Sequence, residues 1–137
     1  MGIDEYVLLV PESHPLADRD TVELAALKNE RFILHHPDQT AANVLINACR
    51  EAGFTPDVIC RIDASSIALS LIRTGIGIGI LPREELEYLY TNGLRQLKLT
   101  HPIEKRIVMA TLANAAPSQR VCAFLRFVNA RLQGTHV

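Results

Sequence analysis

Hydrophobic and polar positions along the chain follow two alternating periods, which predicts strands and helices in turn. Short continuous apolar runs are typical of buried strands, and they occur at residues 7–10, 32–35, 58–62, 76–81, 94–99 and 106–112. Apolar residues spaced three and four apart predict helices between these runs, at residues 22–27, 42–52, 67–72, 83–90 and 121–132. This alternation predicts an α/β fold.

Polar residues that favour helix starts stand before three of these helical patterns. Ser, Thr, Asp and Asn side chains can accept hydrogen bonds from the first free N–H groups of a helix. The predicted caps are Thr21 for the first helix, Asp38 or Thr40 for the second, and Asp63 and Ser65 for the third.

The composition is that of a globular chain with no overall charge bias. The 137 residues are 48% hydrophobic, which is enough for one core in a single domain or in two small lobes. Fourteen basic and fifteen acidic residues give a net charge of −1. A dedicated nucleic-acid binder is not expected, because no basic arm and no pair of adjacent helices of helix-turn-helix length is present.

The cysteines and the N-terminus indicate a soluble protein of a reducing compartment. Cys49, Cys60 and Cys122 lack the spacing of a zinc knuckle, and their odd number favours reduced, buried thiols over disulfides. We find no export signal and no apolar stretch approaching the ~20 residues of a membrane span. Met1-Gly2, followed at once by a strand, looks like the start of a piece of a longer protein.

Three glycines at alternate positions raise the question of a dinucleotide-binding loop. The glycines are Gly75, Gly77 and Gly79. A dinucleotide-binding motif that starts at Gly75 and Gly77 would need its third glycine at position 80, which is Ile80. The order is also reversed, because here a helix precedes the glycines and a strand follows. A helix stop at Gly75 and close packing of the next strand are favoured.

Catalytic and metal-binding patterns have little support. Adjacent His35 and His36 cannot both point to one side of a strand, and no further ligand follows at metal-binding spacing. Ser65 and Ser66 lack the glycine context of a nucleophile elbow. The aspartates lie singly beside turns and strand ends, where capping is their ordinary role. We therefore predict no enzyme activity, no metal and no cofactor.

Two loops that each follow a strand and precede a helix form the strongest candidate site. In an open α/β sheet such loops share one edge, where free helix N–H groups favour a small anion or a polar metabolite. The residues that could bind a ligand there are His36, Gln39, Thr40, Ser65 and Ser66. Helix capping and loop solvation explain the same residues almost as well.

Several ordered segments resemble the effector-binding domain of LysR-type transcriptional regulators. The resemblance is carried by Val10-Pro11-Glu12-Ser13-His14-Pro15-Leu16-Ala17, by Phe32-Ile33-Leu34, by Arg50-Glu51-Ala52-Gly53-Phe54-Thr55-Pro56 and by Leu71 to Pro82. The strand at residues 106–111 and the final helix at residues 117–132 also resemble this family, so the resemblance covers nearly the whole chain.

This resemblance implies the type 2 periplasmic-binding-protein-like fold, with two α/β lobes and an effector held between them. Residues 1–10 would form a crossover strand at the start of the fragment. Residues 11–99 would form the complete second lobe, which binds the effector, and residues 100–137 a crossover and the C-terminal part of the first lobe. The family's binding positions match the loop after the strand at Phe32, the helix start after Asp63 and the end of the strand Ile78 to Leu81.

The resemblance further implies a cytoplasmic sensor of a small metabolite, without membrane contact. A carboxylate-bearing organic acid is weakly preferred as the class of effector. The family binds promoter DNA through an N-terminal helix-turn-helix, which this chain lacks, and forms oligomers. Self-association is expected if the first strand and the final helix expose apolar surface. The alternatives are a periplasmic solute-binding module for transport, which would need an export signal, and an enzyme using His35, His36 and Ser65.

Overall fold

The computed structural model describes residues 2–112 and 116–133 and contains seven strands and four α-helices in that part of the chain. The strands are β1 (Gly2–Pro11), β2 (Thr21–Val22), β3 (Arg31–His35), β4 (Asp57–Ile62), β5 (Gly79–Pro82), β6 (Leu94–Leu99) and β7 (Glu104–Ile107). The helices are α1 (Thr40–Glu51), α2 (Ser65–Arg73), α3 (Arg83–Leu86) and α4 (Gln119–Gln133), with a 3-10 helix at Leu24–Leu27. The predicted α/β class is confirmed.

Strand β1 lies in the middle of the larger sheet. The strand order is β2-β6-β1-β5, with β1 antiparallel to both of its neighbours and β2 parallel to β6. β7 also pairs with β1. The six residues from Tyr6 to Pro11 are all buried, which explains why this strand has a continuous apolar run and no alternation.

Strands β3 and β4 form a separate parallel pair that adjoins the larger sheet at one point. The connection is a parallel bridge between Phe32 and Ile78, the residue before β5. The N–H of Ile33 donates to the carbonyl of Ile78 at 2.8 Å, and the N–H of Ile78 donates to the carbonyl of Arg31 at 2.8 Å. Since β3 and β4 are parallel, their carboxyl ends lie at the same edge.

Helices α1 and α2 each follow one strand of this pair and bury one face. The buried positions are Ala42, Leu45 and Cys49 in α1, and Ala68, Leu69 and Ile72 among those of α2. Both helices end before a glycine of positive φ, Gly53 at 94° and Gly75 at 82°, a conformation that glycine adopts without steric cost. The helical periodicity and both glycine stops are confirmed.

The core has two parts, and alternate residues of β1 contribute to each. Leu8 and Val10 belong to the cluster that contains Phe32 and Leu45. Val7 and Leu9 belong to the other, which contains residues of α2. This division follows from the two-residue period of side chains along a strand.

Two further glycines allow close packing ahead of β5 and within it. A Cβ on Gly77 would lie 2.8 Å from the carbonyl oxygen of Arg31. A Cβ on Gly79 would lie 2.6 Å from Cδ1 of Ile72. The expectation of close packing at these glycines is confirmed.

Some predicted boundaries and caps are wrong. Residues 22–27 do not form an α-helix capped by Thr21, because Thr21 and Val22 pair with β6 and only Leu24–Leu27 is helical, as a 3-10 turn. Helix α3 ends at Leu86 instead of residue 90. The N-cap positions of α1 and α2 are Gln39 and Ala64, and neither makes a side-chain cap hydrogen bond.

The cysteines are free thiols, as predicted, although only one is buried. Cys49 lies in the core and burial raises the pKa of its thiol to about 11. Cys60 and Cys122 are half-buried. Within residues 2–112 and 116–133, no helix combines the length and the apolar composition needed to cross a membrane.

The chain divides into two units. One comprises Glu5–Lys105, and the other comprises the described residues within Met1–Asp4 and Arg106–Val137. The second unit exposes several large apolar side chains, Val108, Leu112, Val121, Phe124 and Phe127. The apolar part of β1 is buried, so of the two surfaces expected to favour self-association only α4 is exposed.

Candidate ligand-binding site

A cleft of about 450 Å³ opens where β3 and β4 end and α2 begins. All of its lining residues belong to the unit Glu5–Lys105. They come from the end of β3, the start of α1, the start of α2 and the region of α3, and are His35, Gln39, Asp63, Ala64, Ser65, Ser66, Glu85, Tyr88 and Leu89. Because parallel strands bring successive loops to one edge, residues far apart in sequence meet here.

Three side chains on the wall of the cleft form a connected polar network. The hydroxyl of Ser65 donates to Oε2 of Glu85 at 2.5 Å, and Oγ of Ser65 lies 3.4 Å from Nε2 of His35. Oε1 of Glu85 lies 3.3 Å from Nζ of Lys105. His35 and Ser65 are only 6% and 8% exposed, so both need polar partners, and this network supplies them.

Burial controls the charge of His35. Desolvation lowers the pKa of the imidazole below its ordinary value of 6.5, and the nearby Glu85 carboxylate opposes this effect only in part. The ring is therefore predominantly neutral at neutral pH. In that state one ring nitrogen donates a hydrogen bond and the other accepts one.

The start of α2 leaves backbone donors available at the cleft. The first N–H groups of an α-helix have no acceptor within the helix. Ala64 at the N-cap position has no side chain that could accept from them. Ser65 and Ser66 therefore present the partial positive charge of a helix N-terminus to this edge of the cleft.

The outer rim of the cleft is held by weaker contacts. Nε2 of Gln39 donates to the carbonyl oxygen of Asp63 at 3.4 Å. Nε2 of His36 lies 3.6 Å from Oδ1 of Asp63 on an exposed surface. These contacts connect the loop before α1 with the loop before α2.

Three of the five predicted ligand-binding residues line this cleft, and two do not. Gln39, Ser65 and Ser66 are on its wall, whereas His36 and Thr40 are not among the lining residues. His36 contacts Asp63 on the rim instead. Whether any of the five binds a ligand stays a prediction.

The sequence does not mark His35 or Glu85 as ligand-binding residues, and it raises His35 only for a metal site and for the enzyme alternative. His35 ends a buried strand, and its position directly before the loop could have indicated a wall residue. Glu85 lies twenty residues after Ser65, in a helix whose place beside α2 follows only from the tertiary fold. Among the residues that the structure describes, no group of three His, Cys, Asp or Glu side chains could hold a metal ion.

Comparison with known proteins identifies the family of the chain. The family model for the LysR substrate binding domain matches residues 1–133. The curated relative GltC of Bacillus subtilis, described as a transcriptional dual regulator, is 30% identical over 120 residues. That alignment includes 88% of this chain but 39% of GltC, so the chain spans about two fifths of its relative's length.

Solved structures of similar fold come from the same group of proteins. The regulatory domain of Synechocystis PCC6803 CcmR, solved in complex with 2-PG, has a TM-score of 0.84 at 23% identity, over 93% of this chain and 62% of that one. The C-terminal domain of a probable LysR family regulator from Rhodococcus sp. RHA1 has a TM-score of 0.78 at 28% identity, over 93% of this chain and 64% of that one.

These likenesses confirm the fold expected from the resemblance, which is type 2 periplasmic-binding-protein-like. The family match extends over nearly all of the described residues, from β1 to the end of α4. The chain belongs to the LysR substrate binding domain family.

Proposed function

We propose that this chain is the effector-sensing domain of a LysR-type transcriptional regulator. It binds a small metabolite in the cleft at the start of α2, and Gln39, Ser65 and Ser66 contact the ligand together with His35 and Glu85. The observation that carries this proposal is the helix N-terminus at Ser65, which lacks a side-chain cap and opens onto a cleft that also contains His35 and Glu85.

The named relatives support a regulatory role. GltC is described as a transcriptional dual regulator, and the CcmR domain was solved in complex with 2-PG. A cleft of about 450 Å³ is of the size that small-molecule sites have in proteins. Effector binding would change the conformational equilibrium of the complete regulator, because the ligand binds one state more tightly.

Binding without chemical change is favoured over catalysis by the relatives of the chain. GltC is described as a transcriptional dual regulator, and the family model that matches residues 1–133 is that of a substrate binding domain. The sequence around Ser65 also lacks the glycine context of a nucleophile elbow. We therefore propose that the domain is not an enzyme.

The remaining parts of the proposal concern the complete protein. Promoter DNA would be bound by an N-terminal helix-turn-helix outside this chain, and the protein would act in the cytoplasm. Residues 11–99 would be the effector-binding lobe, residues 1–10 a crossover, and residues 100–137 a second crossover with part of the other lobe. The exposed apolar side chains of α4 support self-association.

Metabolite screening followed by DNA footprinting tests this function. Metabolites that raise the melting temperature of the chain are expected to change the footprint of the complete gene product on its promoter region. Ser66→Ala should weaken the binding of such a metabolite. Ser70→Ala is the matched control, because it removes an exposed hydroxyl one turn further along α2 that does not line this cleft.

Two outcomes would overturn the proposal. One is a complete gene product that lacks a DNA-binding segment. The other is a set of stabilising metabolites, none of which alters the footprint.

A further inference from the structure

The side chains on the cleft wall around Ser65 and Glu85 offer hydrogen-bond acceptors. Ser65 donates its only hydroxyl proton to Glu85, so its oxygen can only accept a further hydrogen bond. Gln39 uses an amide proton on the carbonyl oxygen of Asp63, and its side-chain oxygen remains an acceptor. A ligand group that lies between Ser65 and Glu85 must therefore bring donors.

Glu85 has acceptor capacity left for such a donor. An ionised carboxylate offers about four lone-pair positions. Oε2 accepts from Ser65 and Oε1 from Lys105, which accounts for one contact on each oxygen. Because Glu85 also lines the cleft, about two positions remain for a ligand.

The charges at the cleft favour a cation over an anion near Glu85. Of the described residues, those that line the cleft include the carboxylates of Asp63 and Glu85 but no lysine or arginine. Lys105 compensates Glu85 but is not a lining residue. Burial holds the pKa of His35 down, so the imidazole supplies little positive charge at neutral pH. A carboxylate placed beside Glu85 would therefore meet a like charge.

We propose that the effector carries a primary ammonium group, which donates hydrogen bonds to the carboxylate of Glu85 and to the hydroxyl oxygen of Ser65. An acceptor group of the same molecule, such as a carbonyl or carboxylate oxygen, accepts hydrogen bonds from the backbone N–H groups of Ser65 and Ser66 at the start of α2. The ligand class is thus that of small amino compounds, including amino acids. This assignment rests on the proposed function of the cleft.

Titration of the chain with two simple ions tests the assignment. Amide resonances of the 15N-labelled chain are followed as methylammonium chloride or sodium acetate is added at constant ionic strength. Methylammonium is expected to shift the Ser65 and Glu85 amides saturably. Acetate is expected to reach only the N–H groups of Ser65 and Ser66 and to leave the Glu85 amide unshifted. Glu85→Gln should weaken the apparent affinity for methylammonium by about tenfold or more, because a hydrogen bond to a charged group is lost. Glu87→Gln, an exposed residue outside the cleft lining, is the matched control and should bind like the parent chain.

Each other outcome contradicts a defined part of this reasoning. Saturable shifts with acetate alone would overturn the ligand class while leaving an effector site in place. If Glu87→Gln weakened the affinity for methylammonium as much as Glu85→Gln, the effect would not be specific to Glu85. That result would overturn the proposed contact between Glu85 and the ammonium group. Absence of saturable shifts with both ions would overturn the ligand class and also count against the cleft as the effector site of the proposed function.

Discussion

Ser65 and Glu85 are twenty residues apart in sequence, yet the hydroxyl of Ser65 donates to Oε2 of Glu85 at 2.5 Å. This contact joins the first turn of α2 to α3. It also explains why Ser65 is buried at the start of a helix without acting as its N-cap. The position of the Glu85 carboxylate on the cleft wall therefore depends on Ser65.

Removing the Ser65 hydroxyl is expected to destabilise the chain. Ser65→Ala should lower the free energy of unfolding by about 1 kcal/mol, since the hydrogen bond to a charged acceptor is lost and Glu85 remains partly exposed to water. Urea denaturation gives this value from the shift in midpoint at constant m-value. Ser70→Ala should change stability by less than about 0.5 kcal/mol because Ser70 is exposed. Equal effects of the two substitutions would contradict the structural role of Ser65.

Acidification is expected to destabilise the chain through His35. The folded state holds the pKa of His35 below its ordinary value of 6.5, so the unfolded chain binds a proton more readily. The stability contributed by neutral His35 is present above pH 6.5 and is lost as pH falls through the lowered pKa. Unfolding free energies of the parent chain should therefore fall more steeply below pH 6.5 than those of His35→Gln. The ring resonances of His35 should titrate below that pH, and titration above it would show the predicted direction to be wrong.

The contact between Gly79 and Ile72 can be tested by a pair of substitutions. Gly79→Ala should destabilise the chain by about 1–3 kcal/mol, because the new Cβ would lie 2.6 Å from Cδ1 of Ile72. Ile72→Val removes that methyl group and on its own should cost about 0.5–1.5 kcal/mol. In the double variant the total loss should be smaller than the sum of the two losses. Strict additivity of the two losses in thermal or urea denaturation would mean that the contact with Ile72 does not cause the loss in Gly79→Ala.

Arg73 is expected to order the segment that carries Tyr88 and Leu89. Its guanidinium donates to the carbonyl oxygens of Asn92 and Tyr90 at 2.8 and 2.9 Å, and lies 5.2 Å from the ring centroid of Tyr90. Arg73→Lys cannot reproduce this planar set of donors. Amide hydrogen exchange in residues 87–93 should become faster, since their local opening costs less free energy.

The control for Arg73 is available on the neighbouring helix. Arg50→Lys changes a basic residue in the last turn of α1, which is the corresponding position of that helix. It should leave exchange in residues 87–93 unchanged. Equally fast exchange in both variants would assign the effect to helix ends in general and not to the contacts of Arg73.

Local sequence patterns predicted helices and strands well where the apolar residues follow a clear helical spacing or a continuous buried run. The apolar face of α1 at Ala42, Leu45 and Cys49 is buried as expected, and β6 spans the predicted residues 94–99. Gly53 and Gly75 have positive φ, a conformation that only glycine adopts without steric cost. A glycine after each helical pattern therefore predicted where the helix ends. The family resemblance then supplied the fold, which no short-range pattern determines.

The errors occur where tertiary contacts override local preference. Thr21 and Val22 pair with β6, so their helical spacing does not produce an α-helix. Ser65 looked like a helix cap, but the fold places Glu85 within reach of its hydroxyl. Three of the five candidate ligand residues line the cleft because strand ends predict where loops meet. The resemblance points to the end of the strand before α3, but neither it nor the local pattern selects Glu85, whose contact with Ser65 follows only from the tertiary fold.

The attachment of β3 to the larger sheet by a bridge at Phe32 and Ile78 has an evolutionary consequence. Strands β3 and β4 and their helices supply Gln39, Ser65 and Ser66, whereas β1 is hydrogen-bonded within the other sheet. Substitutions in the two loops can therefore change the lining of the cleft while the β2-β6-β1-β5 register stays the same. Under the proposed function, related chains would diversify in effector specificity through these few positions while the larger sheet is kept.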